Sequence, residues 1–368
     1  MSPLSTPVHR TMAALALSVG LVATGCATSG DSDSAASSGG IPESTTGAGS
    51  ANTAEVVEAA NAFLDLLSDD QRASVVYDYD DEAKTTGWSN FPTSFVERSG
   101  VALADFDDEQ KAAVLAVMEA ALSEHGYQEL EEIRVADAVL GAEQEESGDT
   151  DGPGGPATFD PDAYYIAFYG EPSESAQFMV QFGGHHAAYN ITYAGDDVSL
   201  SPTLTAIEPM EFEYEGTSYA PLEDSRSTTM AVIDSLSEEE LAAAEIGESY
   251  DDLLLGPEND GPFPDPEGVL VSDLTQEQQD LVTEMLRTWV TDLDEEAAEA
   301  LMDKYVAEYD ETYVGWSDAT ALDDPETYVR LDGPSAWVEF SNQPDREDEE
   351  NIHQHTIFRD ETADYGWN

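Results

Sequence analysis

Seventy-nine acidic side chains against twelve basic ones give this 368-residue chain a formal charge of −67, and no other feature constrains its folding as much. Ion pairs can neutralise only a minority of the carboxylates. The rest must lie on solvated surface or at helix starts, and apolar burial has to carry the fold. Hydrophobic residues make up 40% and aromatics 9%, enough for a sizeable core and too many for a chain disordered throughout. The same charge repels phosphate polyanions, which excludes nucleic acid as a partner. A single cysteine, Cys26, allows no internal disulfide framework.

That cysteine sits at the end of a leader. His9 and Arg10 precede an apolar run from Met12 to Ala23 that is too short to span a bilayer, and the run ends in Ala23-Thr24-Gly25-Cys26. The small residues before a Cys look like the lipobox of a bacterial lipoprotein. In that reading residues 1–25 are a signal peptide, Cys26 carries the lipid, and the chain is anchored at the extracytoplasmic face of the cell membrane. The alternative is an ordinary cleaved signal with a stray Cys. Residues 26–52, rich in Ser, Gly, Thr, Ala and Asp, read as a flexible tether. Residues 53–368 read as a single α+β domain with acidic, Gly- and Pro-rich inserts near 143–162 and 256–268.

One local pattern occurs four times, in Leu67-Ser-Asp-Asp-Gln71, Phe106-Asp-Asp-Glu-Gln110, Leu236-Ser-Glu-Glu-Glu240 and Leu274-Thr-Gln-Glu-Gln278. Each places Ser, Thr or Asp three residues before Gln or Glu, the arrangement that satisfies the free N–H groups of a first helical turn, and four helices are predicted to start there. Acids in those turns face the positive end of the helix dipole. After Phe106, Ala112, Val114, Leu115, Met118, Ala121 and Leu122 form a stripe that His125-Gly126 is expected to close. A second amphipathic helix is predicted over 276–293, with Leu281, Val282, Met285, Leu286 and Trp289 inward, and a third over 295–309. His125, at a helix end, reads as structural.

Strands are predicted at 164–169, 177–182, 185–193, 198–204, 337–342 and 352–358, with a hairpin turn at Ala194-Gly195-Asp196-Asp197. Helices and strands occur in clusters without βαβ alternation. The expected class is therefore α+β, a largely antiparallel sheet flanked by capped amphipathic helices.

Four histidines fall into two doublets, His185-His186 after Gly183-Gly184, and His353-Gln354-His355. Alternate strand residues share a face, so His353 and His355 are neighbours, together with Asn351 and Arg359. Of the other pair, one imidazole can join them: His185 aligns with Ala187, Tyr189, Ile191 and Tyr193, and His186 with Ala188, Asn190 and Thr192. The glycines before the pair permit a bulge that re-aims side chains. Glu339, between Val338 and Phe340, is a candidate carboxylate ligand or base. Three His with one Glu suit Zn²⁺ or another first-row divalent ion with a position left for water or substrate. Two other readings of the histidines stay open, a metal-free acid–base site and structural hydrogen bonding. Arg359 would hold a substrate carboxylate or phosphate, or form an ion pair with Asp360, Asp364 or Glu339.

Trp88-Ser-Asn-Phe-Pro92, Phe182-Gly-Gly-His-His186 with Asn190, Ser201-Pro-Thr203, Glu208-Pro209, Gly333-Pro334, Trp337-Val-Glu-Phe340, His353-Gln-His-Thr-Ile-Phe-Arg-Asp360 and Asp364-Tyr-Gly366 resemble the family named domain of unknown function 3500. The likeness runs from about residue 58 to the C-terminus. It implies that both histidine motifs belong to one domain, and it implies no activity. The acidic inserts and Ala187-Ala188, where bulkier aliphatics are expected, depart from it.

No Gly-x-Ser-x-Gly elbow, phosphate-binding glycine loop or calcium-loop spacing is present, Asp251-Asp252 and Pro257-Glu-Asn-Asp260 included. Two functional classes follow for the extracytoplasmic lipoprotein: a metal-dependent enzyme with His185 or His186, His353 and His355 as ligands and Glu339 and Arg359 as acting groups, or a protein that binds a metal or small solute without turnover.

Overall fold

The computed structural model describes residues 51–147, 159–322, 324–344 and 352–367. The leader, Cys26, nearly all of the tether, the middle of the 143–162 stretch and Asn351 lie outside the described residues. The chain begins with α1 (Thr53–Leu64), α2 (Asp69–Val75), β1 (Val76–Tyr77), α3 (Ala83–Thr86), β2 (Val101–Ala102), α4 (Asp108–Ala121) and α5 (Glu124–Ser147). Strands β3 (Tyr165–Tyr169), β4 (Phe178–Gly183), β5 (Ala187–Ala194), β6 (Asp197–Ser199) and β7 (Thr203–Ile207) follow. A hairpin of β8 (Phe212–Tyr214) and β9 (Thr217–Tyr219) leads into α6 (Glu223–Ser235), α7 (Glu238–Ala244), β10 (Val269–Leu270), α8 (Gln276–Val290) and α9 (Glu295–Ala307). The chain closes with β11 (Tyr313–Asp318), β12 (Thr327–Asp332), β13 (Ala336–Pro344) and β14 (Ile352–Asp360).

The fold is α+β, built among the described residues on a largely antiparallel sheet of twelve strands whose main path runs β1-β3-β4-β5-β7-β14-β13-β12-β11-β10. All four predicted helix starts carry complete capping boxes: Ser68 with Gln71, Asp107 with Gln110, Ser237 with Glu240 and Thr275 with Gln278. Each box satisfies N–H groups that have no partner within the helix. In α8 the buried stripe is Val282, Met285, Leu286, Trp289 and Val290, while Leu281 stays half-buried. The expectation for His125-Gly126 is corrected. Helix α4 ends at Ala121 with Leu122 extended, and both residues lie in the first turn of α5. A Cβ on Gly126 would lie 2.9 Å from Asp292 Cα, so this glycine serves a close approach between segments and terminates nothing.

The predicted hairpin turn joins β5 to β6, with Ala194 opposite Asp197. The single strand expected at 198–204 is interrupted at Leu200-Ser201-Pro202, and its two parts, β6 and β7, both pair with β5. Strands β11 and β12 were not predicted, because Asp318, Thr327, Arg330 and Asp332 dilute their apolar pattern. One face of the central strands packs Ala187, Tyr189, Ile207, Val338, Phe340 and Phe358 into the main core with the helices. The other face gathers Ala188, Leu204, Ala206 and Ile357 into a smaller cluster with Tyr79, Trp88 and Tyr365. Loops cover that second face, and the histidines lie on it. Among the described residues no helix is long and apolar enough to cross a membrane.

Candidate metal centre

Pairing across the sheet brings the two histidine motifs together. His355 lies opposite Ala206 on β7 and opposite Ser341 on β13. The Ala206 N–H donates to the His186 carbonyl at 2.7 Å. Residues paired directly across strands point to the same face, so His186, Ala206, His355 and Ser341 form one row. His353, two positions before His355, joins it beside Gln343. Only a methyl group stands between His186 and His355, which leaves both rings free to lean over Ala206 and meet.

The local backbone selects His186 over its neighbour. His186 is in the left-handed region at φ 65°, an uncommon state for a side-chain-bearing residue and one held by its surroundings. The Gly184 N–H donates to the Ala187 carbonyl at 3.0 Å, and a Cβ on Gly184 would fall 2.8 Å from the Tyr164 ring, so that turn requires glycine. The His186 N–H donates to the Asn90 carbonyl at 3.2 Å. Arg98, buried although basic residues are scarce, ties the same loops together by donating to the carbonyls of Phe91 at 2.5 Å and Gly184 at 3.1 Å.

The three imidazoles converge through Nε2. His353 Nε2 lies 2.8 Å from His186 Nε2 and 2.9 Å from His355 Nε2, and all three rings are buried. Carboxylates address the far nitrogens. Asp252 Oδ1 is 2.8 Å from His355 Nδ1, and Glu208 Oε2 is 3.6 Å from His353 Nδ1. Gln343 Nε2 lies 2.9 Å from the same His355 nitrogen. Burial pushes the Asp252 carboxyl up, but His355, the Leu253 N–H and Gln343 outweigh it and hold its pKa below the ordinary value. A carboxylate on Nδ1 keeps the proton there and turns the Nε2 lone pair towards the centre.

His185 is not part of this trio. Its Nδ1 meets Asp137 Oδ1 at 2.6 Å on α5, while the Tyr164 hydroxyl lies 2.8 Å from Asp137 Oδ2. Burial raises the Asp137 pKa, against the lowering effects of His185, Tyr164 and Arg134. The His185 ring stacks on His186 at 3.5 Å between centroids, backing that imidazole like a plate.

The structure does not bring Glu339 or Arg359 to the histidines. Glu339 lies opposite Ile357, two pairs beyond Ser341, and is fully buried. Its Oε1 accepts from the Leu255 N–H at 2.9 Å and Trp337 Nε1 at 2.8 Å, and its Oε2 from the Leu254 N–H at 2.5 Å and the Tyr328 hydroxyl at 2.8 Å. Burial raises its pKa against those four donors. Its visible task is to fasten the segment that carries Asp252. Arg359, four residues past His355 and so about 13 Å along the strand, pairs with Asp260 at 2.7 Å and Asp364 at 3.0 Å. Those partners outweigh burial and raise its pKa further.

The histidines line a cleft of about 110 Å³ whose walls include Asn90, Phe91, Phe159, Glu208, Asp252 and Gln343. Asn90 Nδ2 is 3.4 Å from His355 Nε2, while its buried Oδ1 has no hydrogen-bond partner among the described residues. Asn90, Glu208, Asp252, Gln343 and Asp137 were not singled out as site residues from the sequence. Asn90 and Glu208 stood in motifs that carried the family resemblance, and Asp252 lay in a stretch tested only against calcium-loop spacing.

The model of the family described as "Protein of unknown function (DUF3500)" matches residues 49–367. The chain belongs to this family. No curated protein and no solved structure matches it. The match spans both histidine motifs and every loop that supplies the cleft.

Proposed function

We propose that His186, His353 and His355 hold a first-row divalent cation, most simply Zn²⁺, and that the chain is a metal-dependent enzyme anchored by lipid outside the cytoplasm. The convergence of three imidazoles whose ligand atoms lie within 4.8 Å of one another, His353 Nε2 within hydrogen-bond distance of the other two, with carboxylates against the outer nitrogens of two of the rings, carries this reading. With all three Nε2 atoms deprotonated, their lone pairs would repel unless a positive charge lay between them; with a ring proton in place, the same contacts are N–H···N hydrogen bonds. Imidazole nitrogens suit zinc, whose bonds of about 2.0–2.1 Å separate tetrahedral ligands by roughly 3.3 Å, a few tenths more than the spacing here. Three protein ligands leave a fourth position, as catalytic zinc sites do, where a bound ion would lower the pKa of a water to about 7. Asn90 stands at the same place with an amide able to orient that fourth group, and Phe91 and Phe159 supply apolar wall. Reaction with a small substrate at the mouth of the cleft follows from this layout.

A second reading, a metal- or solute-binding protein without turnover, is favoured by the engagement of both wall carboxylates with imidazoles, which leaves neither free to shuttle protons. Metal analysis of purified protein, alone and as His353→Ala/His355→Ala, tests the shared premise. About one ion per chain, lost in the variant with the fold retained, is expected; no ion in either protein overturns both readings. Turnover of small esters or amides by the loaded protein separates the enzyme from the carrier.

A further inference from the structure

The order of elements repeats. Apart from the two-residue β1 and the four-residue α3, which lie between α2 and β2, helices α1 and α2, strand β2, helices α4 and α5 and strands β3–β5 are followed, after the β8–β9 hairpin, by α6 and α7, β10, α8 and α9, and β11–β13. In the sheet, β3-β4-β5-β7 meets β14-β13-β12-β11 in mirrored order across an antiparallel β7–β14 pair. Such an order is what a two-fold axis through that seam produces.

Fine details repeat as well. Gln110 Nε2 donates to the Leu66 carbonyl at 3.1 Å, and Gln278 Nε2 to the Ser235 carbonyl at 3.0 Å; each is the third helical residue of a capping box and each also reaches the corresponding residue of the preceding box, Gln71 or Glu240. Gly100 before β2 and Gly268 before β10 both have positive φ, 86° and 121°. A Cβ on either would strike a carbonyl oxygen of the next strand, Ile166 or Val314. Val76 runs parallel to Phe168 as Glu245 does to Trp316. The Gly184 N–H donates to Ala187, and the Gly333 N–H to Ala336, at 3.0 and 2.9 Å. The Ala206 N–H donates to His186, and the Glu361 N–H to Ser335, at 2.7 and 2.8 Å.

These correspondences place Ser335 at the position of His186. Ser199 and Asp197, opposite Thr192 and Ala194, take the positions that His355 and His353 hold opposite Ser341 and Gln343. The mate location thus has no histidine. The C-terminal segment lies over it: Ser199 Oγ donates to the Ala363 carbonyl at 2.7 Å and Ser201 Oγ to Asp364 at 2.6 Å.

We infer that the chain is one unit duplicated and fused, and that its single histidine centre is shared across the internal seam, His186 coming from the first copy and His353 and His355 from the second, so that a bound cation clamps the two copies together. The clamp rests on the metal reading above; the duplication does not. Ligands drawn from both sides make cation binding and seam closure one linked equilibrium, and a ligand that binds only the joined state strengthens it by a factor of about 100 when present at 100 times its Kd.

The test cuts the folded full-length protein at a protease site placed in the exposed Glu215-Gly216 turn between β8 and β9, then measures metal content and the dissociation of the two pieces in denaturant with Zn²⁺ or with chelator. The pieces are expected to stay associated, and Zn²⁺ at 100 times its Kd to tighten them by about 100-fold. In nicked His186→Ala the second piece keeps two ligands and binds Zn²⁺ weakly, with no effect on association. Metal bound normally, with dissociation the same in Zn²⁺ and in chelator, overturns the clamp and leaves the metal site standing. No metal bound to the intact protein overturns the metal reading and the clamp with it.

Discussion

Replacing Asp252 by Asn isolates the contribution of a residue that touches no metal. Asp252 Oδ1 lies 2.8 Å from His355 Nδ1 and accepts the Leu253 N–H at 2.7 Å. The substitution keeps size and shape but removes the charge that fixes the Nδ1 proton and makes Nε2 a better donor to a cation. Loss of such an outer partner typically weakens metal binding 10–100-fold, or about 1.4–2.7 kcal/mol. The effect on folding should be smaller. The side chain is 42% exposed, and exposed charge pairs contribute at most about 1 kcal/mol. Glu339 holds Leu254 and Leu255 whatever stands at 252, so the loop is not expected to detach. Competition with a chromogenic chelator gives the affinity, and thermal unfolding of the metal-free protein gives the stability. Affinity unchanged from the wild type would refute the assignment of Asp252 as the residue that orients His355. A large fall in the melting temperature of the metal-free protein would show instead that Asp252 holds the loop.

His186→Gly should abolish high-affinity metal binding while the metal-free protein keeps its stability to within about 1 kcal/mol, because glycine relieves the left-handed backbone that His186 occupies at φ 65°; full metal occupancy in this variant would remove His186 from the ligand set. Asp292, buried at the end of α8, has its carboxyl pushed up to about 8 by burial. Its folded pKa exceeds the unfolded value of about 3.9, so its stabilising share is complete at acid pH and is lost as pH rises through about 8. Denaturation midpoints at pH 6 and pH 9 should therefore differ less in Asp292→Asn than in the wild type, and equal differences in the two proteins would contradict this. Cys26→Ser should release the protein from the membrane fraction of a lipoprotein-processing bacterium, with intact mass as the readout; continued membrane association without acylation at Cys26 would sink the anchor.

Both the fold and the site were partly legible beforehand, and the boundary follows the range of the interactions. Each helix start depends on contacts within three residues, so Ser68, Asp107, Ser237 and Thr275 could be read directly. The alternation of a strand is equally local, which is why His353 and His355 could be placed on one face. The family likeness, spread over fragments from Trp88 to Gly366, added that both histidine motifs belong together.

The centre itself depended on contacts that no local rule reaches. The choice of His186 over His185 turned on one left-handed residue held by Tyr164 and Asn90, and the register of Ala206 against His355 brought the motifs into one row. Asp252 and Glu208 came from loops, while Glu339 and Arg359, plausible by residue type, were already engaged by Leu254, Leu255, Asp260 and Asp364. Residue type and spacing alone determined which groups could do chemistry. Only strand pairing and loop placement decided which of them meet, because a hydrogen bond or a metal ligand set is specified by distances between atoms that lie far apart along the chain.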